Sequence, residues 1–382
     1  MDQFELIATT TFGIEAVVKR ELVNLGFTVT RTENGKVTFL SDKSGIAKAN
    51  LWLRSADRVL LKIAEFKAIT FDELFNQTTQ LDWGKYIEID GKFTVNGKSV
   101  KSTLFSISDC QSIVKKAIAE NLKRKYSVAW LAETGADYTV LISILNDIAT
   151  LTIDTSGVAL HKRGYRIKTV KAPLKETLAA AMIMLSYWDK SRVLYDVFCG
   201  SGTIPIEAAL IGKNIAPGLH RDFSSKHWPI IGEDVWKAEI DKAIQAIDHQ
   251  SKITIFASDI DSDSIEAAKT NADVAQVNDC ITFQQSNFLD VDYRRDYGIL
   301  ICNPPYGERL SIGEDLLPLY LSIEAKFSKL NTWSIYILTA FEGFSNLKAR
   351  KPDRVRKLYN GNIETTYFQY YGPKPPLQKD NI

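Results

Sequence analysis

The sequence predicts an α/β protein, in which a doubly wound, mostly parallel sheet follows an N-terminal region of mixed α+β character. Three observations predict it. From about residue 173 onward, apolar strand-like runs alternate with helical segments, a grammar that implies parallel strands with helices on both faces. Upstream, strands and helices succeed one another without that alternation. The first downstream strand, VLYDVF, then runs through a turn with glycines at 200 and 202 into the helix TIPIEAALIG, where doubly wound sheets bind ligands.

The elements follow in order. FELIATTTF reads as a strand, GIEAVVKRELVNLGF as a helix with apolar residues at helical spacing, and VTRTENGKVTFL as alternating strand. A second helix is expected around Ile46 to Ser55, then the strand VLLKIAEF, the helix FDELFNQTTQLDW and a pair of short strands. SDCQSIVKKAIAENLKRKY is a helix with Ser108 or Asp109 as N-cap and a basic last turn. YTVLISILNDIATLTIDTSG forms two paired strands joined near Asn146 and Asp147. The basic segment HKRGYRIKTVKAP marks the main boundary, near residues 155 to 170, and a long helix is expected from Pro173. The downstream strands are VLYDVF, ITIFASDI, ITFQQSNF, GILICNPP and WSIYILTA, with a terminal pair near IETTYFQYY.

A chain of 382 residues with 45% hydrophobic content can bury more than one core. Lys plus Arg total 47 against 46 Asp plus Glu, a net charge of +1, so any nucleic-acid surface is a local patch rather than a global field. Cys110, Cys199, Cys280 and Cys302 include no CxxC pair, which speaks against a disulfide framework or a bound metal. The first residues have no basic start and no apolar run of signal-peptide length, and no segment approaches a membrane span. The expected address is the cytoplasm.

The chemistry sits at three strand ends. Asp196, closing the first sheet strand, suits the ammonium of an amino-acid-like ligand, and backbone N–H groups at the following helix start can meet its carboxylate. Pro205 stands where a dinucleotide fingerprint needs its third glycine, and no Lys completes a P-loop. Asp259, directly after the second strand, can accept both hydroxyls of a ribose, whereas Asp261 is read as the cap of the next helix. After the fourth strand comes Asn303-Pro304-Pro305-Tyr306. Consecutive prolines hold the backbone extended, so the Asn303 amide and the Pro304 carbonyl are aimed at one amine. An exocyclic base amine is a poor nucleophile. Accepting its protons from two sides raises electron density on nitrogen as it attacks a sulfonium methyl. Tyr306 can stack on a base turned out of its helix.

Taken together, Lys171-Ala-Pro-Leu-Lys-Glu176, DVFCGSGT, SDID, NPPYGERL and Arg356-Lys-Leu-Tyr-Asn-Gly361 resemble the large-subunit rRNA guanine-N2 methyltransferases that carry an N-terminal THUMP domain. NPPY alone is shared with adenine, cytosine and glutamine-side-chain methyltransferases, and Gly307-Glu308-Arg309 with KLYNG narrows the match. The resemblance implies a ferredoxin-like segment over 1–55, a THUMP domain over 56–160 and a Rossmann-like methyltransferase domain over 165–382, with RNA as partner and S-adenosylmethionine as cofactor. It implies that 172–178 close over the cofactor. Asp196, Phe198, Cys199, Gly200, Ser201, Gly202 and Thr203 would hold its methionine part, Asp259 with Ile260 its ribose, and Asn287 and Phe288 its adenine, with Asn303 also touching the cofactor. Asn287 stands where relatives commonly carry Asp, and its amide oxygen can still meet the adenine amino group.

Cys302, inside an apolar strand, is read as core rather than as a nucleophile, which would need an accessible thiolate. Cys199 would contact the cofactor by its backbone, and Glu207 is left without a role. Of the basic clusters, Lys115-Lys116, Lys123-Arg124-Lys125, His161-Lys162-Arg163 and Lys348-Ala-Arg-Lys351, the first and last are expected to grip an RNA backbone, with Tyr165 and Phe344 as possible helpers. The rivals are the same chemistry on tRNA guanine or DNA adenine, and a non-catalytic RNA-binding assembly factor.

Overall fold

The computed structural model describes residues 3–169, 173–293, 295–306, 316–347 and 350–376. Two compact units emerge. One comprises Met1–Thr10, Val18–Leu160 and Arg221–Lys242, and the other Thr11–Val17, His161–His220 and Ala243–Ile382.

The first unit is built on β1 (Phe4–Thr9), α1 (Glu15–Asn24), β2 (Thr28–Glu33), β3 (Lys36–Ser41), α2 (Lys43–Trp52), β4 (Arg58–Lys67), α3 (Phe71–Thr79), β5 (Lys92–Val100), α4 (Ile107–Tyr126), β6 (Asp137–Leu145) and β7 (Ile148–Asp154). Its seven strands make one sheet in the order β2-β3-β1-β4-β7-β6-β5. Strand β4 pairs antiparallel with β1 on one side and β7 on the other, so the two N-terminal modules share a continuous sheet.

Local chemistry sets the element bounds. Asp42 accepts from the Gly45 N–H at 3.0 Å, which starts α2 three residues before the expected Ile46. A capping box between Thr70 and Glu73 opens α3. Helix α4 is capped at Ser106, so Ser108 and Asp109 lie inside its first turn, where Asp109 favours the N-terminal end of the dipole. The single nine-residue β5, parallel to β6, replaces the expected pair of short strands. Asn146 and Asp147 take φ of 49° and 64°, the geometry a two-residue hairpin demands. Arg221–Lys242 joins this unit through Trp228, which stacks on Tyr138 at 4.7 Å and donates to the Asp137 carbonyl at 3.1 Å.

The second unit carries α5 (Glu176–Leu185), β8 (Leu194–Asp196), α6 (Thr203–Gly212), the end of α7 (Glu233–Gln245), β9 (Ile255–Asp259), α8 (Ser262–Val274), β10 (Ile281–Gln285), β11 (Ile299–Cys302), α9 (Leu317–Phe327), β12 (Ser334–Thr339), β13 (Arg354–Asn360) and β14 (Ile363–Tyr370). The sheet order is β10-β9-β8-β11-β12-β14-β13. The first five strands are parallel, and β14 lies antiparallel to both β12 and β13. Alternation along each strand feeds two cores. Ile299 and Ile301 of β11 point into the core shared with α5, α6 and α8, while Leu300 and Cys302 point into the one shared with α9. Helix α5 starts at Glu176 rather than at Pro173. The Leu174 carbonyl, which a helix from Pro173 would give to the Leu178 N–H, accepts from Arg166 instead, while the Lys175 N–H, unpaired in any first turn, is satisfied by Asn360.

Candidate active site

The sheet places every strand end that the sequence singled out on one edge. Strands β8 and β11 run parallel side by side, with Ile299 opposite Leu194 and Leu300 opposite Tyr195. The turn after β8 and the turn after β11 are therefore neighbours. Both line a cleft of about 410 Å³, together with the turns after β9 and β10, within the size range of small-molecule sites.

The cleft is built outward from the glycine turn after β8. Gly200 and Gly202 have φ of 50° and 84°, and Gly202 is the entry residue of α6. A Cβ on Gly202 would come within 3.0 Å of Ala268, so this glycine also lets α6 approach α8. Asp196 is buried at 1% exposure and accepts from the Phe198 N–H at 3.2 Å. Asp259 ties the first two turns together. One carboxylate oxygen accepts from the Gly200 N–H at 2.9 Å and the other from the Asp261 N–H at 3.1 Å. Burial pushes its carboxyl above the usual range, against the pull of those N–H groups. Asp261 caps α8 as expected, accepting from Asp263 and Ser264.

Of the residues proposed from sequence, Asp196, Phe198, Cys199, Gly200, Ser201, Thr203, Asp259, Ile260, Asn287, Phe288, Asn303 and Pro305 line this cleft. Gly202, Pro304 and Tyr306 do not. Gly202 faces α8, and Pro304 and Tyr306 are buried. The Phe198 and Phe288 rings sit 5.0 Å apart as an aromatic wall, and Ile260 is exposed at 67%. The Asn287 side-chain oxygen accepts from the Leu289 N–H at 3.0 Å. Asn303 is buried at 4% exposure. Tyr320, from α9, donates to the Pro305 carbonyl at 3.2 Å and so fixes the proline turn. Lys171, Ala172, Gly307-Glu308-Arg309 and Lys348-Ala349 lie outside the described residues.

Burial raises the Cys199 and Cys302 thiols well above their ordinary value, which keeps both protonated. Tyr165 and Phe344 are buried at 3% and 5%, so both are packing residues rather than RNA contacts. Arg163 is buried beside Glu207 and is no part of a solvated basic cluster.

Sequence reasoning missed the polar residues that support the cleft from behind. Asn271, wholly buried on α8, uses its full capacity. Its oxygen accepts from the N–H groups of Ile167 and Lys168, both at 3.1 Å. Its nitrogen donates to the carbonyls of Lys168 at 2.9 Å and Ser201 at 3.1 Å. Glu207, fully buried on α6, accepts from Tyr165 at 3.1 Å and from Arg163 at 3.4 Å.

Five parallel strands, a glycine turn and successive acidic strand ends around one cleft define an S-adenosylmethionine-dependent methyltransferase. The donor set fits that cofactor: a buried carboxylate at Asp196 for an ammonium, a helix start for a carboxylate, Asp259 with acceptor capacity left for a ribose, and the aromatic wall for a base. Residues 163–369 match the RMKL-like methyltransferase domain, 5–60 the RlmL ferredoxin-like domain and 68–154 the THUMP domain. The chain belongs to the RMKL-like methyltransferase family.

Among its relatives, the Bacillus subtilis protein named "Putative RNA methyltransferase YpsC" is 49% identical, with 99% of each chain covered. A "Ribosomal RNA large subunit methyltransferase K/L" of a Shewanella species is 33% identical over 94% of this chain and 52% of its own. The chain thus spans about half the length of the K/L relatives. A crystal structure of SMU.472 complexed with SAH superposes with a TM-score of 0.93 at 41% identity, covering 98% of this chain and 100% of that one. A structure of a "predicted N6-adenine-specific DNA methylase" from Listeria monocytogenes gives 0.92 at 48%, covering 98% and 97%. Among the described residues no helix is long and apolar enough to cross a membrane, and no cluster of three or more His, Cys, Asp or Glu could hold a metal ion.

Proposed function

We propose that the protein methylates RNA, transferring the methyl group of S-adenosylmethionine to the exocyclic N2 amine of a guanine in large-subunit (23S) rRNA, in the cytoplasm. The observation that carries the reading is that Asn303 and the glycine turn at Gly200 line one cleft at the ends of adjacent parallel strands. The THUMP match and the relatives named as rRNA methyltransferases support RNA as the substrate. We divide the chain for this purpose into 1–55, 56–160 and 165–382, and assign RNA backbone contacts to the exposed Lys115 and Lys116 of α4.

When bound, the cofactor supplies an electrophilic methyl group on a sulfonium. The chain's own residues do the rest. Asp196 and the turn through Thr203 hold the amino-acid end, Asp259 and Ile260 the ribose, and Asn287 and Phe288 the adenine. Asn303 and the Pro304 carbonyl accept hydrogen bonds from the two N–H groups of the base amine, an interaction that strengthens as nitrogen acquires positive charge, and the methylated nitrogen then releases its surplus proton to water. Pro305, whose carbonyl accepts from Tyr320, keeps that pair in place, and Tyr306, buried and off the cleft lining, meets the face of the base only once its side chain turns outward.

Purified protein, labelled cofactor and unmodified 23S rRNA should yield labelled N2-methylguanosine after nuclease digestion, and Asn303→Ala should abolish it even at S-adenosylmethionine concentrations that saturate the variant. Label retained by that variant ends the proposed mechanism. Label recovered as N6-methyladenine from DNA would move the substrate to the class in the Listeria protein's name.

A further inference from the structure

From the segment 163–166 three side chains reach α6, and they form an ordered series. Arg163 and Tyr165 both reach Glu207. Arg166 reaches Thr203, one helical turn earlier on the same face of α6, where a guanidinium nitrogen donates to the hydroxyl at 2.9 Å. The same nitrogen donates to the Leu174 carbonyl at 2.7 Å and pairs with the Glu176 carboxylate at 3.1 Å. Thr203 and Leu174 both line the cofactor cleft. Arg166 and Glu176 are mostly buried, with side-chain exposures of 16% and 5%, and burial raises the Glu176 carboxyl against the pull of Arg166.

We propose that Arg166 is a positioning residue for the cofactor cleft, a clip that fastens the wall at Leu174 to the start of α6 at Thr203, with Glu176 as its counter-charge. Three groups converge on Arg166 from two separate stretches of backbone, 174–176 and the start of α6, and no residue other than Arg166 bonds both Leu174 and Thr203 among the contacts of the described residues. All three contacts fall on one terminal nitrogen, whose two N–H groups serve the Leu174 carbonyl and the Thr203 hydroxyl while the Glu176 carboxylate is paired by charge. A lysine ammonium in the same place keeps the charge but ends about one bond short of that nitrogen. Cut the clip, and Leu174 and Thr203 lose their common anchor while Asp196, Asp259 and Asn303 stay where they are. The effect falls on cofactor binding, whichever RNA or base accepts the methyl group.

The test is titration calorimetry of the full chain with S-adenosylhomocysteine, comparing wild type, Arg166→Met and Arg166→Lys, each checked for a cooperative melting transition. Wild-type binding itself tests the cofactor assignment, so the two ideas fail separately. Arg166→Met is expected to bind at least tenfold more weakly, and Arg166→Lys at an intermediate strength. Hydrogen exchange read on the peptide covering 173–178 should quicken in both variants. A residue that merely stabilises the fold would lower the melting temperature and leave affinity in the folded protein unchanged. Should Arg166→Met fail to fold, Arg166→Lys carries the test. Wild-type affinity in whichever variant folds overturns the proposal.

Discussion

Asn271 offers the sharpest test of how the catalytic unit holds its glycine turn. Replacing it with Ala removes four hydrogen bonds and little volume. At about 0.5–1.5 kcal/mol net per bond, the four sum to about 2–6 kcal/mol. The losses are unequal. Ile167 is 63% exposed and Lys168 is also exposed, so their backbone groups regain water, whereas Ser201 is 4% exposed and its carbonyl does not. That places the cost in the lower part of the range, about 2–4 kcal/mol. With a urea dependence of about 2 kcal/mol per molar, the unfolding midpoint should fall by about 1–2 M. The transition is followed by the near-ultraviolet signal of Trp188 and Trp333, both in this unit. S-adenosylhomocysteine affinity should fall too, because Ser201 lines the cleft. Asn271→Asp should do as badly at neutral pH, since it loses both donors and buries a charge facing two carbonyls. Its deficit should shrink as pH falls and the new carboxyl takes up a proton. A midpoint for Asn271→Ala within about 0.3 M of wild type would refute the reasoning, because four bonds cannot all be worthless.

Two further predictions follow from the cleft. Asp259 is held above the usual carboxylate range by burial, so it gains its proton at a higher pH than a surface aspartate. Cofactor affinity should therefore decline as pH is lowered through that raised pKa, while this group's contribution to the stability of the empty fold moves the other way; calorimetry on wild type and Asp259→Asn checks it, and a dependence that survives in the variant excludes Asp259 as its source. Cys302 has no exposure and a strongly raised thiol, so Cys302→Ala should keep methyl transfer at wild-type order for about 1 kcal/mol of stability; transfer lost with cofactor binding intact would restore the nucleophile.

The fold was legible where period and turn chemistry agree. The alternation of buried strands and helices after residue 173 announced a parallel sheet, and Asn146-Asp147 announced a hairpin because few residue pairs accept positive φ at both positions. Bounds were less legible where a distant partner decides them. Pro173 looks like a helix start, yet Arg166 claims the Leu174 carbonyl and α5 begins at Glu176. Arg221–Lys242 reads as an ordinary stretch after the glycine-turn helix. Its place with the first unit depends on Trp228 meeting Tyr138, some ninety positions away in the chain, and nothing local encodes that.

The cleft divides along the same physical line. Residues that line the cleft lie in turns at strand ends, where glycine, proline and aspartate are conspicuous because each is costly or unusual in its neighbours' setting. The groups that hold those turns are single polar residues inside helices, Asn271 and Glu207, and a basic residue in what reads as a linker, Arg166. On sequence, an Asn in the middle of SIEAAKTNADV is an exposed polar position, and an Arg in HKRGYR is one more solvated charge. Burial makes each obligatory, since a polar atom without water needs a partner, but burial is a property of the assembled unit. Reading such a family from sequence alone will therefore find the atoms that meet the cofactor before the atoms that decide how firmly they are held. Variants of Asn271 and Arg166 should accordingly disturb affinity and stability together, in proportions that changes at Asn303 will not reproduce.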